Sequence, residues 1–245
     1  VSGLPTSGTG APLATSDILE IKLTDTSGVF FVEKHEANAA TIFLNKAPNV
    51  SAGEIGVICN MQHTAVFQVT QADGNTKINH YTSNPSQNCT KLLGAPAPSA
   101  CGATKGVDYE FGNDAVFFKV RSLYYYVGTS EDGSSPALFR YELIPNGLSF
   151  DFDAVELVKD VEHFQLEYGI DNDDDNAVDS YVNATSITDW DQVLSIRYQL
   201  VIRSEADNVL DSTQSYMLNG ATVTPSDRRI HRTFTSTVGI RNRLV

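Results

Sequence analysis

The sequence has no long apolar segment and few basic residues. No apolar run among its 245 residues approaches the roughly 20 that a helix needs to cross a bilayer, so no membrane-spanning helix is predicted within it. Lys and Arg number 17 against 30 Asp and Glu, which gives a formal net charge of -13. This charge repels nucleic acids and anionic lipids at long range. We therefore expect no nucleic-acid partner, whereas cations are compatible with the charge.

Cysteine is also scarce. Cys59, Cys89 and Cys101 form no Cys-x-x-Cys pair and have no His at metal-ligand spacing, which argues against a zinc site or a thioredoxin-like motif. We expect an exported protein with one disulfide. Cys89 and Cys101 bracket a loop rich in Pro and Ala, and we predict that these two are paired. Cys59 is then a buried small residue, or it pairs with a cysteine upstream of this sequence.

Local signatures of catalysis are missing. The sequence contains no Gly-x-Ser-x-Gly elbow, no His-Glu-x-x-His pair, no P-loop and no dinucleotide-binding glycine motif. Its five histidines are scattered, and we interpret them as surface or strand-edge residues. We predict no catalytic residue, no enzyme activity and no organic cofactor, although residues distant in sequence can still converge in space.

Alternation of apolar and polar residues is the strongest structural signal. In "VLSIRYQLVIR", Leu194, Ile196 and Tyr198 face one way and their neighbours the other, which is typical of a half-buried antiparallel strand. Similar segments recur along the chain, so the fold class is predicted to be mainly β, with antiparallel sheets and little helix. We expect the strands that carry Phe164, Ile196 and Phe234 to form one sheet, with the Ile196 strand in the middle.

Two segments permit alternative interpretations. "DAVELVKDVE" (153–162) has valines at helical spacing and indicates a short helix, or else an irregular approach to the next strand. The run Tyr124 to Tyr126 is interpreted as ordinary strand, and a ligand-stacking platform is the alternative.

The sequence opens with a stretch rich in Gly, Ser, Thr and Pro that shows no periodicity and has no initiator Met. We interpret residues 1–16 as the remnant of a flexible linker and expect the natural start to lie upstream. Residues 17–245 show no internal boundary, so we predict one β-rich domain there.

The segment "DNDDDNAVD" concentrates like charges. It resembles a calcium loop, in which hard oxygen ligands come from alternating positions. The predicted ligands are the carboxylates of three residues, the carbonyl of a fourth and the carboxylate of a fifth, directly or through water: Asp171, Asp173, Asp175, Ala177 and Asp179.

The loop departs from a complete EF-hand at two positions. Asn176 replaces the usual Gly, and Asn adopts left-handed backbone more readily than most residues. Val182 stands where the bidentate Glu is expected, so a bound ion needs another ligand, with Asp189 and Asp191 as candidates. The two interpretations are a modest Ca²⁺ site and a solvated acidic hairpin tip.

The order of segments carries a family resemblance. "VEHFQLEYGID", followed by "WDQVLSIRYQLVIRS" and the ending "FTSTVGIRNR", resembles the PilW-type minor pilins of type IV pilus assembly. The resemblance runs from about Asp17 to the end and is looser in the first third.

This resemblance implies an α+β pilin-like head and an N-terminal transmembrane helix that this sequence does not include. It implies a structural protein that works with other minor pilins and the major pilin, in a tip complex that primes pilus assembly. The expected location is the inner membrane and periplasm before assembly and the cell-surface pilus afterwards. Twitching motility, adhesion and DNA uptake all remain open as the role of the pilus. The alternative function is a secreted calcium-dependent adhesin or binding module.

Overall fold

The chain forms β-strands joined by turns. A computed structural model describes residues 4–25, 28–82, 84–98, 101 and 106–240, and within them it contains no α-helix. The first eight strands are β1 (Leu19–Thr24), β2 (Phe30–Glu36), β3 (Thr41–Leu44), β4 (Ile55–Cys59), β5 (Thr64–Gln68), β6 (Gln71–Ala72), β7 (Lys77–Asn79) and β8 (Val116–Thr129). The others are β9 (Pro136–Asn146), β10 (Ser149–Lys159), β11 (Val161–Ile170), β12 (Ser180–Val182), β13 (Val193–Arg203), β14 (Tyr216–Leu218), β15 (Ala221–Val223) and β16 (His231–Gly239).

Helical structure is limited to three short 3-10 turns in the described part of the chain: Ala37–Ala39, Ala184–Ser186 and Trp190–Gln192. The strand pairs whose registers are resolved are antiparallel. The predicted mainly β class with antiparallel sheets is therefore confirmed. In the described residues no helix is both long enough and apolar enough to cross a membrane.

Contacts divide the chain into two units. Unit 1 comprises residues 1–20, 124–141 and 154–245, and unit 2 comprises residues 21–123 and 142–153. The predicted single domain over 17–245 stays a prediction. Part of the predicted linker is packed within unit 1, because Gly10 N donates to Thr129 O at 2.8 Å and Leu13 N to Val127 O at 2.9 Å. Residues 10–13 are thus held on β8 by backbone hydrogen bonds instead of forming a free linker.

Unit 1 is built on a four-stranded sheet in the order β12-β11-β13-β16. In this sheet Leu200 of β13 lies opposite Phe164 of β11 and Phe234 of β16. The predicted arrangement, with the Ile196 strand in the middle, is therefore confirmed. Phe164 and Leu166 are buried on the apolar face of this sheet and pack with Val127.

Unit 2 is held by an aromatic and aliphatic core that includes Ile42, Ile58, Phe67 and Phe117. Its strands follow the order β8-β2-β3-β7-β6, in which β8 takes part through its first residues, and β4 pairs with both β5 and β8. The fit is close at Gly56 of β4, where an added Cβ would lie 2.4 Å from Cε2 of Phe117. A larger residue there displaces the Phe117 ring, so this position requires glycine.

Of the two interpretations of residues 153–162, the short helix is wrong. Val155 and Val158 lie in β10 and Val161 begins β11, so the three valines share no helical face. Asp160 separates the strands with φ of 59°, a left-handed conformation that interrupts both strand and helix. The segment "EDGSSP" connects β8 and β9 as a hairpin, since Ser130 N donates to Ser135 O at 2.9 Å.

Three histidines and Tyr126 are buried, although the sequence placed the histidines at the surface or at strand edges. His35, His80 and His231 are all buried, so the surface interpretation of these histidines is wrong, although His231 begins the edge strand β16. His35 and His80 pack against Phe111 and Phe67 respectively, which explains why they are enclosed. Tyr126 is also enclosed, stacked on Phe139, and its hydroxyl donates to Gly10 O at 2.8 Å. This tyrosine is a core residue and not part of an exposed platform.

Candidate functional site

The aspartate loop, residues 171–179, is the tip of a hairpin in unit 1. It joins β11 to β12, which pair as antiparallel strands with Ile170 opposite Ser180. Backbone hydrogen bonds close the loop at its base, since Asp179 N donates to Ile170 O at 2.9 Å. Asp171 N donates to Gln192 O at 3.0 Å. The loop therefore starts and ends at fixed positions on the sheet.

Asp171 organises the interior of the loop. Asp171 is only 4% exposed. Its carboxylate accepts hydrogen bonds from the backbone N–H groups of Asp173 and Asp175 at 3.3 Å and of Asn176 at 2.8 Å. Burial acts to raise the pKa of Asp171, but these N–H groups outweigh burial and the pKa is lowered. The side chain is thus ionised and fixed in the centre of the loop.

The backbone of the loop uses two left-handed residues. Asp174 has φ of 61° and Asn176 has φ of 66°. Asn and Asp tolerate this region because their short side chains bond locally to the backbone. Asn176 thus takes the left-handed conformation expected of the residue that replaces glycine. The left-handed conformations of these two residues reverse the direction of the chain, so that the acidic side chains of the loop approach one another.

Three of the four predicted carboxylates converge. One oxygen from each of Asp171, Asp173 and Asp179 lies within 4.8 Å of the others. The converging group does not include Asp175, whose carboxylate accepts the N–H of Ala177 at 2.8 Å. Asp179 also accepts the N–H of Asn172 at 2.7 Å. Three predicted carboxylates therefore converge, Asp175 stabilises the turn, and the carbonyl of Ala177 stays a predicted ligand.

Repulsion within the loop shifts the pKa of Asp173. The charge of Asp175, followed by that of Asp179, raises the pKa of Asp173 above its ordinary value. A raised pKa means that the ionised form is disfavoured in the folded chain, so this carboxylate opposes folding at neutral pH. A divalent cation among the oxygens would relieve that repulsion.

The converging donors are all oxygen atoms, the ligand type that hard cations prefer. Ca²⁺ takes six to eight oxygen ligands, and three carboxylates supply part of that shell. The converging group includes neither Asp189 nor Asp191. The carboxylate of Asp189 instead accepts the N–H of Asp191 at 2.9 Å, at the start of a 3-10 turn. An ion here would complete its shell with backbone oxygens or water.

The cysteines are arranged as the sequence predicts. Cys89 and Cys101 form a disulfide with their Cα atoms 4.4 Å apart. Cys59 ends β4 as a free, half-buried thiol. The disulfide closes a loop in unit 2, and the partner of Cys59 in a longer chain stays an open expectation.

A family model matches the C-terminal part of the chain. Residues 124–242 match the family model described as PilW, Type IV Pilus-assembly protein W, so the resemblance to PilW-type proteins is confirmed over just under half of the chain. Residues 17–123, which include the first third where the sequence resemblance is looser, lie outside the match.

A structure comparison finds the type IV-like pilin TTHA1219 from Thermus thermophilus, at 13% sequence identity. The alignment covers 80% of this chain and 87% of that chain, with a TM-score of 0.27. A similarity at this level supports no argument about fold or function. No curated protein matches the chain.

Proposed function

We propose that this PilW-type chain is the head of a structural minor pilin, which primes assembly of a type IV pilus as part of a minor pilin complex at the pilus tip. The observation that carries the proposal is the match of residues 124–242 to the PilW family model. That range includes every strand of the four-stranded sheet and the aspartate loop. The protein acts by binding other pilins and catalyses no reaction.

An exposed sheet edge offers a surface for such contacts. β16 is the last strand of the unit 1 sheet, and Phe234 and Val238 on it are 54% and 56% exposed. They lie opposite Leu200 and Ile196, so they extend the apolar face of the sheet beyond its covered part. Exposed apolar edges attract partner strands. The proposed occupant is an extended segment of another pilin subunit.

The proposed location follows from the same function. A hydrophobic N-terminal helix, outside this sequence, anchors the head to the inner membrane before assembly. The head lies on the periplasmic side at that stage and at the tip of the surface pilus afterwards. Other minor pilins and the major pilin are its partners at the two stages.

The test is complementation of a strain that lacks the gene. The full-length wild-type protein is expected to restore surface pili, counted by electron microscopy and by immunoblot of sheared pilin. The double variant Phe234→Gln, Val238→Gln is expected to restore fewer pili and to co-purify less of the other minor pilins. Val66→Gln, at a site 65% exposed in unit 2, is the matched control and should behave as wild type.

Two outcomes contradict the proposal. One is normal piliation in the strain without the gene. The other is full piliation from the head fused to an unrelated membrane helix, in cells without other minor pilins. Normal piliation together with loss of calcium-dependent surface attachment would favour the adhesin alternative, which the acidic loop suggests.

The aspartate loop has a structural part in this function. Asp171, Asp173 and Asp179, with the carbonyl of Ala177, bind one Ca²⁺ and stabilise the hairpin tip, and Asp175 holds the turn. The convergence of three carboxylates and the raised pKa of Asp173 support this role. A solvated acidic tip without an ion is the competing interpretation, and calorimetry separates the two.

A further inference from the structure

A second cluster of metal-ligating side chains lies in unit 1, outside the aspartate loop. It consists of Glu162 at the start of β11, Asp227 in the segment before β16, and His231, the first residue of β16. One potential ligand atom from each lies within 4.8 Å of the other two. The cluster contains a nitrogen ligand, which the aspartate loop lacks.

His231 is enclosed and has no hydrogen-bond partner for its ring. The residue is 2% exposed, and neither Nδ1 nor Nε2 makes a hydrogen bond within the described residues. The Nε2 atom lies 3.1 Å from a carboxylate oxygen of Glu162, yet the direction does not meet the requirements of a hydrogen bond. A buried polar atom without a partner costs about 1 to 3 kcal/mol. A ligand for Nε2 would remove that cost.

The spacing of the three atoms suits a small metal ion. Nε2 of His231 lies 3.1 Å from Oε2 of Glu162 and 3.9 Å from Oδ1 of Asp227. Zinc binds nitrogen and oxygen ligands at about 2.0 to 2.2 Å in a tetrahedral arrangement, which separates neighbouring ligand atoms by roughly 3.4 Å. The two observed distances fall on either side of that separation. Small side-chain movements therefore suffice to form the site.

Neighbouring groups hold both carboxylates in place. Arg203 Nη1 donates to Oε1 of Glu162 at 2.9 Å, which leaves Oε2 facing the histidine. The backbone N–H of Arg229 donates to Oδ1 of Asp227 at 3.1 Å. Hydrogen bonds of this kind orient the ligands in metal sites. The carboxylates are partly exposed, with side chains 19% and 24% accessible, so an ion can enter from their side.

Two arginines near the cluster limit its affinity for a divalent ion, and a proton on His231 competes with the ion. Arg203 contacts Asp160 as well as Glu162, and Arg229 lies 3.6 Å from Asp227. These two guanidinium groups offset part of the negative charge of Asp160, Glu162 and Asp227. A divalent ion is therefore bound less tightly than it would be by carboxylates without arginine neighbours. A proton on His231 competes for the same place, because it would bind the same oxygens. Binding must therefore weaken as the solution becomes acidic.

We propose that Glu162, Asp227 and His231 form a binding site for a divalent transition-metal ion of the Zn²⁺ class. One imidazole and two carboxylates suit Zn²⁺, whereas Ca²⁺ prefers oxygen ligands alone. Glu162 lies in β11, Asp227 lies in the segment before β16, and His231 begins β16. A bound ion would therefore connect the start of the edge strand β16 to β11 of the same sheet. This site is independent of the proposed pilin function and of the aspartate loop.

The experiment is calorimetric titration of the metal-free protein with Zn²⁺ alone at pH 7.5, in a non-coordinating buffer with millimolar Ca²⁺ to saturate the aspartate loop. We expect one Zn²⁺ per chain and a loss of affinity of at least about tenfold in Glu162→Gln and in His231→Gln. Two controls should bind as wild type: His63→Gln in unit 2, and the loop variant Asp173→Asn, Asp175→Asn. Repeating the titration at pH 5.5 should weaken binding by the wild type.

A measurement on the wild type keeps the test decisive if His231→Gln does not fold. Co²⁺ in place of Zn²⁺ should give the visible absorption of a low-coordinate ion and a single paramagnetically shifted imidazole in the NMR spectrum. Absence of a Zn²⁺ site, wild-type affinity in folded His231→Gln, or a Co²⁺ complex without a shifted imidazole would each overturn the proposal.

Discussion

The Nε2 atoms of His35 and His80 lie 3.1 Å apart inside unit 2, and both rings are buried. The N–H of Phe111 donates to Nδ1 of His35 at 3.2 Å, so this nitrogen is an acceptor and the ring carries its proton on Nε2. That proton is donated to Nε2 of His80, which must then carry its own proton on Nδ1. The Nδ1 of His80 has no hydrogen-bond partner in the described residues. The pair therefore fits only two neutral rings.

The first prediction is that acid destabilises the protein through this pair. Burial, with the neighbouring His35 adding to it, lowers the pKa of His80 from 6.5 to about 3. The unfolded chain therefore binds the proton first, and the stability held by the neutral ring is lost as the pH falls from about 6.5 towards 3. At pH 5 the loss from this residue alone is about 2 kcal/mol. Urea unfolding at pH 7.5, 6 and 5 measures it.

The matched variant for this prediction is His80→Gln, whose amide oxygen replaces Nε2 as acceptor and does not titrate. The difference in free energy of unfolding between wild type and variant should change by about 2 kcal/mol between pH 7.5 and 5. His163→Gln, at a partly exposed position, controls for loss of a histidine. Parallel pH curves for wild type and His80→Gln would contradict the assignment.

The second prediction concerns calcium at the aspartate loop. Free Ca²⁺ at about 100 times the dissociation constant should raise the free energy of unfolding by about 2.7 kcal/mol, because the ion binds only the folded loop. Calorimetric melting of chelator-treated protein, with and without millimolar Ca²⁺, measures the rise in melting temperature. Asp173→Asn, Asp175→Asn should abolish the response, and Asp153→Asn on β10 should leave it intact. An equal response in wild type and loop variant would identify the loop as a solvated acidic turn.

The third prediction concerns the disulfide. Cys89 and Cys101 are 12 residues apart, and a closed loop of that size contributes about 3 kcal/mol by restricting the unfolded chain. Cys89→Ser, Cys101→Ser should therefore lower the free energy of unfolding by about that amount, measured by denaturant titration. Cys59→Ser serves as control and should change it far less. A non-reduced peptide map that joins Cys59 to either of the others would refute the pairing.

The fourth prediction concerns a buried amide in unit 2. Gln68 donates from Nε2 to Gly53 O at 3.2 Å and to Leu148 O at 3.1 Å, and its Oε1 accepts the N–H of Gln87 at 2.9 Å. Gln68→Leu keeps the volume but leaves three backbone groups unpaired, so it should cost about 2 to 4 kcal/mol of unfolding free energy. Thermal and urea unfolding, with the exposed Gln71→Leu as control, measure the cost. Equal stability of the two variants would show that water satisfies those groups.

Alternation predicted the strands well where one face is buried. In β13, Leu200 is opposite Phe164 and Phe234, and the period of two alone gave the three strands and their order. It failed in β10, because valines three apart mimic a helix and the left-handed turn at Asp160 has no signal in that pattern. Short strands such as β3 and β7 were missed, since few residues carry too little periodicity.

The sites were predictable only where they are local in sequence. The aspartate loop lies within nine residues, so its carboxylates were identified directly, although Asp175 turned out to support the turn. The cluster of Glu162, Asp227 and His231 depends on the pairing of β11 and β16 with β13. His231 was interpreted as a surface or strand-edge residue, because nothing in its immediate sequence shows what packs over it.

The pairing of β8 has a consequence for the order in which unit 2 folds. Phe30 of β2 lies opposite Phe117, and Ile55 of β4 lies opposite Val120, so two early strands share one late partner. Contacts between segments far apart in sequence form slowly, and a strand whose partner has not yet paired with it exposes an unpaired edge. A chain made from its N-terminus presents β2 and β4 well before β8. A nascent chain that ends before residue 116 therefore lacks β8 and exposes the unpaired edges of β2 and β4. Unit 2 can complete its folding only after β8 has been synthesised.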